Sequence, residues 1–218
     1  MAQELTRDGH TLSGVMAALA RKRPVFHSEA DFQHALAWEI RSTISESEIR
    51  LEHRPRGVRE RMYLDLWVRA GGQSCAIELK YKTRGLTVES NGEVFDLLDQ
   101  SAQDIGRYEI LKDVARLERV VKADAADQAA MIFLTNDQNY WSTPPRPDTI
   151  DAAFRLHEGR VIQGALSWAP RASPKTTEHH EEPIMISAAY EARWDDYSTV
   201  APRSPGSFRY LMMPVAPA

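Results

Sequence analysis

The sequence predicts a mixed α/β fold: a β-sheet flanked by helices, with additional C-terminal strands. Three observations carry that expectation. Residues 11–23 and a second segment opened by Ser28 carry helical signals, the latter with Phe32, Leu36 and Ile40 at four-residue spacing. Two strand-like segments, 60–70 and 74–82, are joined by a Gly-Gly pair. A helical pattern over 98–121 and an apolar run at 131–135 follow, without the regular βαβ repeat of a large doubly wound sheet.

Bulk properties narrow the class. The 218 residues carry a formal net charge of -4 and suffice for a real core, so residues 1–218 read as a single domain. No apolar stretch approaches the roughly 18 residues of a membrane span, which predicts no membrane partner. The N-terminal MAQELTRDGH lacks the apolar centre of a secretory signal, which predicts a cytoplasmic protein. Cys75 is the single cysteine, excluding an intrachain disulfide and any one-chain thiolate cluster for zinc or iron–sulfur. The charge does not advertise nucleic-acid binding, but that footprint is local and a bound cation inverts the local field.

The elements follow in order. TLSGVMAALARKR, 11–23, reads as a helix ended by Pro24. Ser28 with Asp31 resembles a capping box at the start of the next helix. Glu39 lies three residues after Leu36, at the edge of the apolar stripe. Residues 48–54 read as a strand before the turn-like PRG, and 60–70 and 74–82 as strands on either side of GGQ. Leu98, Ile105, Leu111, Leu117 and Val121 supply the apolar positions of the long helix, and 131–135 a buried strand. Residues 148–157 read as a short helix, 168–182 as a polar, proline-broken loop, and 183–194 and 208–215 as strands.

The hairpin raises the chemical question. A two-residue Gly71-Gly72 turn makes opposed residue numbers sum to 143. Val68 then faces Cys75, Leu66 faces Ile77, Leu64 faces Leu79 and Met62 faces Tyr81, giving one apolar surface. The other surface pairs Trp67 with Ala76, Asp65 with Glu78 and Tyr63 with Lys80. Directly opposed side chains have Cβ atoms about 4.5–5.5 Å apart, where like charges repel. A divalent cation turns that repulsion into ligation, because Mg²⁺ takes oxygen ligands. A solvated mixed-charge strand face is the plain alternative.

Asp65 followed across a short hairpin by Glu78-Leu79-Lys80 resembles the motif of the PD-(D/E)xK, or restriction-endonuclease-like, nuclease superfamily. The resemblance covers about residues 28–137 and leaves 138–218 as a C-terminal elaboration. It implies a restriction-endonuclease-like core, with Asp65, Glu78 and Lys80 as the catalytic set. It also implies Mg²⁺ as cofactor, with Mn²⁺ as a substitute, held by Asp65, Glu78, the Leu79 carbonyl and an acid from the preceding helix, best matched by Glu39. Leu64 stands where the family often has proline. The Gln-x-x-x-Tyr pattern of some members is absent, since Gln103 lies five residues before Tyr108.

Other residues are candidates for substrate contact. The arginine-rich stretch 49–61 offers Arg56 and Arg59 as phosphate contacts, and Lys82, Arg84 and Gln103 extend the set, though each also fits an ordinary solvated surface. Asp104 with Arg107 and Asp113 with Arg116 have the spacing of local ion pairs. His179 and His180 sit in a loop, and adjacency alone defines no metal site. Trp141, Trp168 and Trp194 are able to stack on bases, but cores use tryptophan more often. The leading expectation is a Mg²⁺-dependent nuclease acting on DNA, with RNA open as a substrate and a homodimer compatible with double-strand cleavage. The alternative is a non-catalytic nucleic-acid-binding or assembly protein on a nuclease-like fold.

Overall fold

Thr11 and Ser28 open the two N-terminal helices through their hydroxyls. Thr11 Oγ1 accepts from the Gly14 amide at the start of α1 (Leu12–Lys22), and Ser28 Oγ accepts from the Asp31 amide at the start of α2 (Glu29–Thr43). Phe32, Leu36 and Ile40 are fully buried, as their spacing requires. The computed structural model describes Leu5 and residues 9–217, so most of the N-terminal stretch behind the localisation expectation lies outside the described residues.

The chain continues through β1 (Glu48–His53), β2 (Leu64–Ala70) and β3 (Gln73–Lys82), then a small hairpin of β4 (Leu86–Ser90) and β5 (Glu93–Leu97). Next come α3 (Gln103–Lys122), β6 (Gln128–Thr135), a 3-10 turn at Ala152–Phe154 and β7 (Val161–Leu166). The one-turn α4 (Pro174–Thr177), β8 (Ile184–Glu191), β9 (Trp194–Thr199) and β10 (Ser207–Val215) complete it.

The main sheet has the order β1-β2-β3-β6-β10-β9, in which β3 and β6 are parallel and the other neighbours antiparallel. The segment beyond residue 138 therefore adds two strands to the same sheet, beside β6. One sheet face carries α1, α2 and the β4–β5 hairpin; the other carries α3 and the β7–β8 pair. The central β3 and β6 are covered on both faces, so β6 is buried along nearly its whole length. Ile77, at the middle of β3, is fully buried under α2. Ile77→Ala is expected to lower stability by about 2–5 kcal/mol in urea unfolding with an unchanged denaturant slope.

Several boundaries depart from the sequence expectations. β2 begins at Leu64, because residues 60–63 run along α3 instead, with Glu60 paired to Arg119 and the Tyr63 carbonyl accepting from Arg116. α3 begins at Gln103, and Leu98 is 75% exposed outside it. Residues 148–157 form only the 3-10 turn, and β7 was not expected. The β4–β5 hairpin was also unexpected, although its Asn91-Gly92 turn, with φ of 54° and 78°, is a favoured hairpin pair. Its strands are mostly exposed, with Phe95 and Leu97 alone buried, so apolar alternation is weak there. Among the described residues no helix is long and apolar enough to cross a membrane.

Candidate active site

Gly71 and Gly72 both take positive φ, at 56° and 78°, which closes the β2–β3 hairpin in two residues. The expected register holds from Ala70–Gln73 to Leu66–Ile77. There the ladder ends. Leu79 and Tyr81 remain in the core under α2, but Met62 and Leu64 join the core under α3, so the expected apolar surface is divided at Asp65. The neighbouring strand is irregular at the same level: β1–β2 pairing skips Glu52 and Asp65, and Glu52 is left-handed with φ of 49°. Gln33 Nε2 bridges this break, donating to Glu52 Oε1 at 2.9 Å and to the Asp65 carbonyl at 2.8 Å.

The opening between β2 and β3 frees backbone donors of β3, and two carboxylates take them. Leu79 N donates to Asp65 Oδ2 at 2.6 Å, and Tyr81 N donates to Glu29 Oε2 at 2.8 Å. Glu29 is the first residue of α2, placed there by the Ser28 cap. Glu39, the expected helix acid, is not in this group. It is buried nearly three turns further along α2, where both its oxygens accept from Lys22 Nζ at 2.8 Å. The same stripe spacing that buries Leu36 and Ile40 carries Glu39 toward α1. Glu29 occupies the first turn of α2 beside its cap, and the helix pattern alone does not distinguish it from Glu39.

The polar edge of β3 meets α3 rather than water. Three ion pairs run antiparallel along the contact: Glu78 with Arg116 at 3.5 Å, Lys80 with Asp113 at 3.0 Å, and Lys82 with Glu109 at 3.7 Å. Two residues of strand advance about 6.6 Å and one helical turn about 5.4 Å, so the repeats stay in step over this length. Glu78 is only 2% exposed, and its Oε1 is buried without a hydrogen-bond partner. Lys80 Nζ also donates to the Leu79 carbonyl at 3.2 Å.

Burial and crowding set the charges. Burial, then Asp113 and Asp65, push the Glu78 carboxyl up to about 9, with Arg116 and Lys80 only partly offsetting them. The Asp65 side chain lies within hydrogen-bonding reach of Glu78, and burial raises its pKa despite the Leu79 amide and Lys80. Burial also raises Glu29, against Lys80 and the Tyr81 amide. Burial works against the Lys80 charge, but Asp113, Glu29 and Asp65 outweigh it and hold its pKa above the ordinary lysine value. The site is thus an acid pair short of cations, beside a permanently charged lysine.

The outer candidates scatter. Lys82 borders the site through Glu109, and Arg84 pairs with Asp99 at 3.3 Å. Gln103 is tied to Asp137 at 2.8 Å. Arg56 and Arg59 are exposed, but Gly57 between them lies against the Ala123 carbonyl at the far end of α3. That is about 10 Å along the helix axis from Arg116, at roughly 1.5 Å per residue. Asp113 and Arg116 pair as their spacing predicts, at 2.6 Å. Arg107 instead reaches the buried Asp151 at 2.7 Å, because its side chain is turned into the core rather than along the helix surface. His180 packs edge-on to Tyr108 and lies beside Glu109, while Trp168 and Trp194 spend their indole N–H groups on the His180 and Leu156 carbonyls.

Among the described residues no three or more His, Cys, Asp or Glu side chains form a ready cage for a metal ion. Asp65 and Glu78 form a pair, and a pair with carbonyl oxygen nearby suits Mg²⁺, which keeps several waters and binds through one or two carboxylates. The orphaned Glu78 Oε1 is the buried acceptor that such an ion would satisfy. Comparisons with protein-family models, with curated proteins and with solved structures return no match to the chain.

Proposed function

We propose that this protein is a Mg²⁺-dependent nuclease with a restriction-endonuclease-like core, hydrolysing phosphodiester bonds with DNA as its leading substrate. The observation that carries the reading is the opening of the β2–β3 ladder, where Asp65 lies beside Glu78, Lys80 follows on the same strand, and the buried Glu78 Oε1 makes no hydrogen bond. Asp65 and Glu78, with the Leu79 carbonyl, would hold the ion, and Glu29 approaches from α2. Bound there, Mg²⁺ or Mn²⁺ would acidify a water and neutralise charge on the scissile phosphate. Lys80, fixed by Asp113, holds a full positive charge where negative charge develops. Lys82 and Arg84 extend this cationic edge toward the substrate, with Gln103 at the start of α3.

A second reading has its own support. The three β3–α3 ion pairs partner the charged strand edge without any ligand, as a non-catalytic nucleic-acid-binding or assembly protein would require. Cleavage of supercoiled, linear and single-stranded DNA and of RNA, in Mg²⁺, Mn²⁺ and chelator, separates the two. Metal-dependent cleavage is expected, and nucleic-acid binding without cleavage in any metal would favour the second reading. Glu29→Gln is expected to weaken Mg²⁺ binding and cleavage, whereas Glu39→Gln, which keeps its contact with Lys22, leaves both unchanged. Equal losses in the two variants would remove Glu29 from the site.

A further inference from the structure

Asp113 holds two cations at once. Its Oδ2 lies 3.0 Å from Lys80 Nζ, and its Oδ1 accepts from Arg116 NH1 at 2.6 Å. Asp113 itself is 5% exposed and sits on the third turn of α3, above the polar edge of β3. The two cations flank the Glu78 carboxyl: Lys80 follows it by two residues on the strand, and Arg116 approaches Oε1 to 3.5 Å. That approach is an ion-pair distance, and the same Oε1 has no hydrogen bond. Arg116 is therefore committed to Asp113 and only loosely engaged with Glu78.

Arg116 is also a partly exposed member of the cluster. Its side chain is 20% exposed, its NH2 donates to the Tyr63 carbonyl at 3.3 Å, and the exposed Tyr63 and the Glu60–Arg119 pair lie beyond it. A cation fixed by a buried carboxylate, partly open to solvent and adjacent to an acid pair is pre-organised for an anion arriving over that pair. A guanidinium suits this role because its planar fork matches two phosphate oxygens.

Building on the nuclease reading, we propose that Arg116 and Lys80 form a two-cation clamp on one phosphate of the nucleic-acid backbone, with Asp113 as the residue that positions both. Arg116 touches the phosphate, and Asp113 acts through the two cations. The arrangement differs from a general basic surface because both charges are fixed by one buried anion before substrate arrives.

The test is binding of a short duplex oligonucleotide across about 50 to 200 mM salt, a range over which phosphate contacts dominate affinity. Ca²⁺ replaces Mg²⁺, and oligonucleotide integrity is verified after each titration. Each phosphate contact contributes about 0.9 to the slope of log affinity against log salt. Arg116→Met is expected to lower that slope by about one and to weaken binding roughly tenfold. Arg116→Lys restores the slope, because the charge returns, and recovers part of the affinity. Asp113→Asn keeps the slope, since both cations remain, but weakens binding because neither is held. Thermal melting of each variant verifies folding, and Arg116→Lys serves if Arg116→Met does not fold. An unchanged slope in folded Arg116→Met would overturn the clamp and leave the nuclease reading standing. Wild-type protein that binds no oligonucleotide at the lowest salt would overturn both.

Discussion

Lys80→Ala is expected to slow Mg²⁺-dependent DNA cleavage by about two to three orders of magnitude in single-turnover assays, the size of losing one pre-organised electrostatic contact to a transition state. The wild-type lysine lies 3.0 Å from Asp113 and is held above the ordinary lysine pKa, so it stays charged through any assay between pH 6 and 9. It therefore contributes no limb to the pH–rate profile over about that range. Lys80 also lowers the pKa of Asp65, Glu78 and Glu29 by its charge. Its removal shifts the acid limb of the profile to higher pH. Cleavage at the wild-type rate in Lys80→Ala, with the same profile, would exclude Lys80 from the chemistry.

The metal-free protein is expected to lose stability as pH rises from about 4.5 to about 9. Glu78 is raised from 4.5 to about 9, chiefly by burial and then by Asp113 and Asp65. In that window the folded state binds the proton and the unfolded state releases it. The contribution is fully present below 4.5 and is lost as pH passes through the folded value. One such group gives a slope of at most about 1.4 kcal/mol per pH unit. Asp65 and Glu29 are raised too and act in the same direction at the acid end. Glu78→Gln should remove most of the slope, because the amide has no proton to lose.

Mg²⁺ is expected to reverse the trend. On the proposed metal site the ion would bind the ionised carboxylates, so its affinity would rise with pH, and binding to the folded state alone would stabilise it. Urea unfolding at pH 5, 7 and 9, with Mg²⁺ and with chelator, measures both effects. A flat chelator series in the wild type would mean that Glu78 ionises as an ordinary carboxylate. A sloped chelator series that Mg²⁺ leaves unaltered would remove the ion from this site.

Local signals decided much of the architecture. Gly71-Gly72 specified the hairpin and its register as far as Leu66–Ile77, because two positive-φ positions leave one closure. The four-residue spacing of Phe32, Leu36 and Ile40 and the hydroxyl of Ser28 defined α2. Asp113 with Arg116 was legible as an i,i+3 pair, though its bridge to Lys80 was not. Glu78 and Lys80 were legible as one polar strand edge by alternation, and Asp65 as their neighbour across the hairpin, although the ladder ends one residue short of it.

What lay between elements was not legible in this way. Whether Glu29 or Glu39 reaches the opening depends on how α2 crosses the sheet, and both positions satisfy the helix pattern equally. The end of the ladder at Asp65 depends on the left-handed Glu52 in the adjoining strand and on Gln33 above it. The choice of Arg116 as the cation nearest Glu78, over the arginines at 56 and 59, depends on α3 lying antiparallel to β3. The sequence by itself determined the hairpin, its register as far as Leu66–Ile77 and the acidic and basic residues along its edge, because a turn and an alternation are local. Only the tertiary structure decided which charges share a burial site, because that requires two sheet faces, three helices and a broken ladder to be in place together.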